Sequence, residues 1–359
     1  MLSAAAPPLR PELVDETAYG SPQLDVAVRL DTNENPYSPP QPVVDDITAA
    51  VAAAAAGLNR YPDREALALR QDLAAYLGHG LGVEQLWAAN GSNEVMLQLL
   101  QAYGGPGRTV LSFTPTYSMY PNYARSTGTR WVCHPRRPDF GIDLEDALHH
   151  IGTERPDVVV VASPNNPTGG ALPLDTVAAI ADRAPGLVIV DEAYAEFRRP
   201  EMPSALGLLR EHPSLVVTRT MSKAFALAGV RLGYCAAAPQ IVAGLRVVRL
   251  PYHLSTLTQA VARAALRHSS TLLAQVDALR PERDALVEWL RERGLSAADS
   301  DANFVLFGRF ASSRTVWQAL LDRGVLVRDT GPAGWLRVSV GTPQQMATFR
   351  HALTEALDT

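Results

Sequence analysis

The sequence predicts an α/β fold: a large domain with a mostly parallel seven-stranded sheet covered by helices, followed by a smaller α+β domain. Three observations carry that expectation. Between residues 86 and 238, short apolar runs alternate with helical patterns. The runs lie at 86–89, 109–112, 130–134, 158–162, 187–190, 215–218 and 232–236 and are rich in Val and Leu, with no polar alternation, as strands buried on both faces require. Beyond Pro251 the pattern changes, and 359 residues suit one large and one smaller core.

The elements follow in order. Alanine is the strongest helix former, so the run at 49–56 predicts a helix. After the seven strands a helical stretch runs to about Gly294, with Pro281 marking a break or a new start. A strand at 304–307, a helix at 315–322, strands at 325–328 and 335–340 and a closing helix complete the chain. Residues 1–44 then form an N-terminal arm and a segment joining the small domain, 45–255 the large domain and 256–359 the small one.

Composition narrows the function. A formal charge of −5 without a basic run argues against nucleic acid, and no stretch is long and apolar enough for a membrane span. Residues 1–13 hold an Ala run and then Pro-Pro-Leu-Arg-Pro, where an export signal would set basic residues ahead of a longer apolar core. Cys133 and Cys235 are far apart, so two reduced thiols in a cytoplasmic protein are expected. The eight histidines show no ligand spacing, and no metal is expected.

Open α/β sheets bind ligands at the carboxyl edge, so the strand ends come first. Asn90-Gly91-Ser92-Asn93-Glu94 opens a helix; its free N–H groups would suit an anion, or Ser92 would serve only as an N-cap. Residues 163–170 are dense in turn formers. Asp191 ends a buried strand, where a carboxylate needs a partner, either a structural ion pair or a cationic ring nitrogen. Lys223 stands among small and apolar residues, and a desolvated lysine makes a Schiff-base nucleophile. An anion-binding helix start, a carboxylate, a tyrosine and a lysine on one edge fit a phosphate-bearing cofactor with a cationic ring and an aldehyde.

Farther on, 325–328 and 335–340 flank a strong turn composition. Paired with Arg328 opposite Trp335, they would set Leu326, Arg328, Trp335 and Arg337 on one face; a one-residue shift would split the arginines. Tyr120 and Tyr123 are expected to pack, and His253 receives no role.

Many short stretches then coincide with one family. Leu30-Asp31-Thr32-Asn33-Glu34-Asn35-Pro36-Tyr37, Asn59-Arg60-Tyr61-Pro62-Asp63, Gly91-Ser92-Asn93-Glu94 and Pro115-Thr116-Tyr117 lie in its order. So do the turn at 163–169, Asp191 to Tyr194, Ser222 to Arg231, Asp301-Ala302-Asn303-Phe304 and the stretch 336–342. The chain resembles the fold-type-I pyridoxal-phosphate aminotransferases, and within them the histidinol-phosphate aminotransferases, nearly end to end.

That resemblance implies roles. Lys223 would hold pyridoxal 5′-phosphate covalently and shuttle the proton, Asp191 would pair with the pyridine nitrogen, and Asn166 and Tyr194 would bond its phenolic oxygen. Tyr117 would stack on the ring. Ser92, Asn93, Ser222 and Arg231 would hold the phosphate, with Tyr61 reaching over from a neighbouring subunit of a homodimer with shared sites. Arg337 would bind the substrate carboxylate; Tyr19, again from the neighbour, and Arg328 would contact the substrate phosphate, with Asn33 beside them. The implied substrates are L-histidinol phosphate or imidazole-acetol phosphate with glutamate or 2-oxoglutarate, in histidine biosynthesis. Aromatic amino-acid aminotransferases and threonine-phosphate decarboxylases are the rivals within the fold. A cofactor-binding transcription regulator would need a basic DNA-binding segment, and none fits before Leu30.

Overall fold

The structure, a computed structural model, describes residues 7–358. Residues 1–6, which include the Ala run behind the no-export expectation, lie outside the described residues. All seven expected strands fall in one sheet, formed by β2 (Leu86–Ala89), β3 (Thr109–Thr114), β4 (Arg130–Pro135), β5 (Val158–Ala162), β6 (Leu187–Asp191), β7 (Leu215–Thr220) and β8 (Gly233–Ala237); β1 (Val28–Arg29) belongs elsewhere. The order is β2-β8-β7-β6-β5-β3-β4, parallel except for β8, which runs against both of its neighbours.

The Val- and Leu-rich runs explain the sheet's centre. Successive side chains leave a strand on opposite faces, so each run feeds two apolar layers. Val159, Val161, Val188, Val190 and Val217 enter one; Val158, Val160, Leu187, Ile189 and Val216 enter the other. The expectation of strands buried on both faces fails only at β4, which has one neighbour and alternates exposed with half-buried residues.

The smaller unit holds β9 (Ser296–Ala297), β10 (Phe304–Gly308), β11 (Val325–Leu326), β12 (Arg328–Asp329) and β13 (Trp335–Ser339). β12-β13-β10-β9 form an antiparallel sheet over a third apolar cluster that includes Leu286, Leu290, Phe307 and Phe349. The expected strand 325–328 is divided at Val327: β11 pairs in parallel with β1, tying the N-terminal segment to this unit, and β12 turns to β13.

One expectation about helices is corrected. Pro281 sits inside the 24-residue helix Ser269–Glu292, and the break falls earlier, at His268 (φ −108°, ψ 20°). The bond lost at an interior proline, worth about 3 kcal/mol, is offset by burying Leu272, Val276 and Leu279 before it and Leu286 and Leu290 after it. Those two sets lie in different cores, and Ala262, Ala265 and Leu266 also join the larger one. The large core therefore runs past residue 255, where the sequence places the boundary, into this helix. Among the described residues no helix is long and apolar enough to cross a membrane.

Candidate active site

Residues following the parallel strands converge on a cavity of about 480 Å³ at the sheet's carboxyl edge. Its lining includes Ser92 and Asn93 after β2, Tyr117 after β3, Asn166 after β5, Asp191 and Tyr194 at the end of β6, and Ser222 and Lys223 after β7. Arg231 just ahead of β8 joins them, with Asn33, Arg328 and Arg337 from the smaller unit's side.

The helix Ser92–Tyr103 starts here, and Gly91 (φ 84°), not Ser92, is its N-cap. Two glycines allow the approach. A Cβ on Gly233 would stand 2.0 Å from the Ser92 nitrogen, and one on Gly91 would stand 2.7 Å from Arg231 Nη2. The helix's free N–H groups, the Ser222 hydroxyl and the Arg231 guanidinium thus share one corner, with Arg231 Nη1 donating to Ser222 Oγ at 3.4 Å. That donor set fits a phosphate.

Asp191 is buried and bonded only by neutral donors: Tyr120 Oη at 2.7 Å, Thr218 Oγ1 at 3.1 Å and the Ala193 N–H at 3.2 Å. Burial pushes its carboxyl above the usual range, and Tyr120, Thr218 and Ala193 offset that only in part. The structural ion pair falls to its neighbour instead: Arg198 and Arg219 reach Glu192 at 3.0 and 2.8 Å. A buried carboxylate that lines the cavity and has no ion-pair partner among the described residues fits a cationic ring nitrogen.

Lys223 Nζ donates to the Thr32 carbonyl at 2.8 Å. Burial, and next the Arg337 charge, bring its ammonium down to about 8. Tyr194 Oη accepts from Asn33 Nδ2 at 3.0 Å, and Asn33, itself in the left-handed region (φ 55°), is pinned through Ser339. Tyr117 lies edge-on to Tyr120, ring centroids 5.5 Å apart.

The arginine pair keeps its face but not its register. Arg328 stands opposite Arg337, two residues from the expected Trp335, because the Trp335 N–H turns back to Pro332 O (3.1 Å) and β13 continues past β12 to pair Trp335 with Gly308. An even shift leaves both guanidinium groups on one side. Arg337 donates to Asn166 Oδ1 and the Asp31 carbonyl, both at 2.6 Å, and Arg328 Nη2 to the Gly20 carbonyl at 3.0 Å. Arg328 Nη1 and Arg337 Nε are buried without a hydrogen-bond partner.

Tyr19 and Tyr61 are the two residues expected from a neighbouring subunit. Tyr19 lines the cavity of its own chain, edge-on to Tyr117 at 6.3 Å and beneath the Arg328 guanidinium, with Ser21 bonded to Asp31 and Gly20 to Arg328. Tyr61 is absent from the lining: it is 80% exposed and stacked on Tyr252 at 4.4 Å. Tyr120, read as packing, is the residue that sequence reasoning missed. Its signal was its spacing, since its N–H bonds Tyr117 O (3.1 Å) in the turn opening the helix Tyr120–Thr127.

Residues 26–353 match the family described as aminotransferase class I and II. A histidinol-phosphate aminotransferase of Thermobifida fusca is 61% identical over 97% of this chain and 95% of its own length. Histidinol-phosphate aminotransferase 3 of Burkholderia lata is 57% identical over 98% and 96%. Among solved structures, histidinol-phosphate aminotransferase from Sinorhizobium meliloti in complex with pyridoxal-5′-phosphate superposes with TM-score 0.88 at 26% identity, covering 99% of each chain. Aspartate aminotransferase from Thermus thermophilus with maleate gives TM-score 0.80 at 27% identity over 92% of this chain and 91% of that one.

Proposed function

The chain belongs to the class I and II aminotransferases, and from that premise we propose that it moves the amino group of L-histidinol phosphate to 2-oxoglutarate, using pyridoxal 5′-phosphate. The products are imidazole-acetol phosphate and glutamate. The observation that carries the choice of substrate is Arg328 facing Arg337 across β12 and β13, each with an unbonded guanidinium N–H. Histidinol phosphate has no carboxylate, so its phosphate must be the anionic handle; 2-oxoglutarate brings two carboxylates to the same pair.

The residues present suit the cofactor at three points: a phosphate at Ser92, Asn93, Ser222 and Arg231, a ring nitrogen at Asp191 and an aldehyde at Lys223. When bound, the cofactor supplies an electron sink joined to the substrate's amine. Asp191 would hold the proton on the ring nitrogen. Tyr194 and Asn166 would hydrogen-bond the phenolic oxygen, and Tyr117 would cover the ring. Lys223 Nζ would take the proton from the substrate's amine-bearing carbon and deliver it to the cofactor's C4′ carbon. An ammonium brought down to about 8 leaves a minor share of the lysine amine free at neutral pH and about half or more in mildly alkaline solution.

The same reading makes the enzyme a homodimer. Tyr61 and Tyr252, with exposed Leu58, Val247 and Leu250, lie on two segments joined by the Arg249–Glu65 pair at 2.6 Å, and a second copy would cover them and receive Tyr61 at its phosphate corner.

The test is kcat/KM for histidinol phosphate, phenylalanine and tyrosine with 2-oxoglutarate, in wild type and in Arg328→Ala. A charge-assisted bond to phosphate is worth about 1.5–3 kcal/mol, so histidinol phosphate should lose roughly tenfold to a hundredfold and the aromatic donors much less. A wild type that prefers phenylalanine would replace this reading with an aromatic aminotransferase.

A further inference from the structure

His253 lies outside the cavity, yet it grips the chain that leads into the helix Ser92–Tyr103. Its ring stacks on buried Trp87, centroids 5.2 Å apart and planes 10° from parallel. Its Nε2 lies 2.9 Å from the Ala88 carbonyl, which can only accept, so this nitrogen carries the proton. Its own carbonyl accepts from Asn90 Nδ2 at 2.8 Å. Asn90 in turn donates through N and Nδ2 to Glu94 Oε2, at 2.6 and 2.7 Å.

Gly91 makes such a grip necessary. A glycine at φ 84° gives the turn its shape and also its greatest freedom, while N–H groups hold an anion only when their directions converge. Asn90 before Gly91 and Glu94 after it are bonded to each other, and His253 ties Asn90 from outside the turn. Trp87, beneath the imidazole, is held by its own bond to Gln98 Oε1 (2.7 Å) and by the Arg249 guanidinium 5.3 Å from its ring.

We propose that His253 is a positioning residue that sets the turn at 88–94, so that the helix start converges on the cofactor's phosphate. The proposal rests on the reading of Ser92, Asn93, Ser222 and Arg231 as the phosphate corner. It assigns His253 no contact with substrate or cofactor. Its effect is therefore specific to ligands that carry the phosphate.

The experiment is equilibrium dialysis of the full-length chain against pyridoxal 5′-phosphate and against pyridoxal, which has the same ring and aldehyde but no phosphate. His253→Phe keeps an aromatic ring on Trp87 and removes the bond to Ala88. Its preference for the phosphorylated ligand should narrow about fivefold, with pyridoxal affinity and melting temperature near wild type, and His253→Ala should narrow it further. Asn90→Ala should show the same selective loss, and combining it with His253→Phe should add little, since both break one chain of contacts. If His253→Ala fails to fold, the Phe variant alone decides. Equal loss for the two ligands, or none, overturns the proposal. Ser92→Ala and Arg231→Ala separate the two readings: if neither narrows the preference, the phosphate corner is misassigned and the proposal goes with it. If they narrow it and the His253 variants do not, only the positioning role is lost.

Discussion

Asp191 and Glu192 are consecutive carboxylates at the end of one buried strand, and they meet opposite surroundings. Glu192 has Arg198 and Arg219, the Ser204 hydroxyl and the Ala205 N–H around it. Burial alone would raise its carboxyl, but Arg219 and Arg198 outweigh that and hold it below the usual range. Asp191 has neutral donors and an open cavity. The alternation of side chains about a strand sends one acid into a closed charge cluster and the other to the ligand side. One satisfies the fold; the other waits for a cation that the fold does not supply.

Exchanging each acid for its amide tests that division. Under the proposed reading Asp191→Asn removes the charge that holds the ring proton, and turnover should fall by roughly 10⁴-fold, about 5 kcal/mol of barrier. Melting of its cofactor-free form should stay level or rise, because an uncompensated buried charge has gone. Activity within tenfold of wild type would break the comparison.

Glu192→Gln should do the reverse. It leaves two buried arginines short of an anion, so urea unfolding should show a loss of about 3 kcal/mol while turnover per folded molecule stays within severalfold. The sign with pH follows from the depressed folded pKa. The stabilisation is present above the unfolded value near 4.5 and is lost as pH falls through the lower folded one, so wild type and variant should converge in acid. A gap that persists at low pH would mean that shape, not charge, is what the glutamate supplies.

Tyr120→Phe sharpens the contrast at the smallest scale. It deletes one neutral hydrogen bond to Asp191, and kcat/KM should drop about fivefold. No measurable change would leave Thr218 and Ala193 as sufficient supports.

Much of this edge was legible because its signals are local. The run Val158-Val159-Val160-Val161-Ala162 reads as a buried strand, Asp191 ends another such run and Lys223 stands three residues past a third. What escaped depends on partners distant in sequence. The helix Thr256–Arg267 carries an ordinary amphipathic pattern, and nothing in that pattern says that it packs against Gln41–Ala55 in the larger unit. Tyr120 looked like packing because aromatic clusters usually are; its hydroxyl partner lies 71 residues away. The turn composition at 329–334 was readable, whereas its register was not, since Trp335 is held by β10, a strand farther back in the chain.

The arginines facing each other on β12 and β13 impose a timetable on the enzyme. Residues directly opposite on antiparallel strands stand about 4.5–5.5 Å apart at Cα, so both arginines line the one cavity and serve whichever anionic substrate occupies it. The amine donor and the keto acid therefore queue for a single berth, each arriving after the other's product has left. Reciprocal velocity plots at several fixed keto-acid concentrations should run parallel, and an excess of either partner should slow the cycle by occupying the berth out of turn.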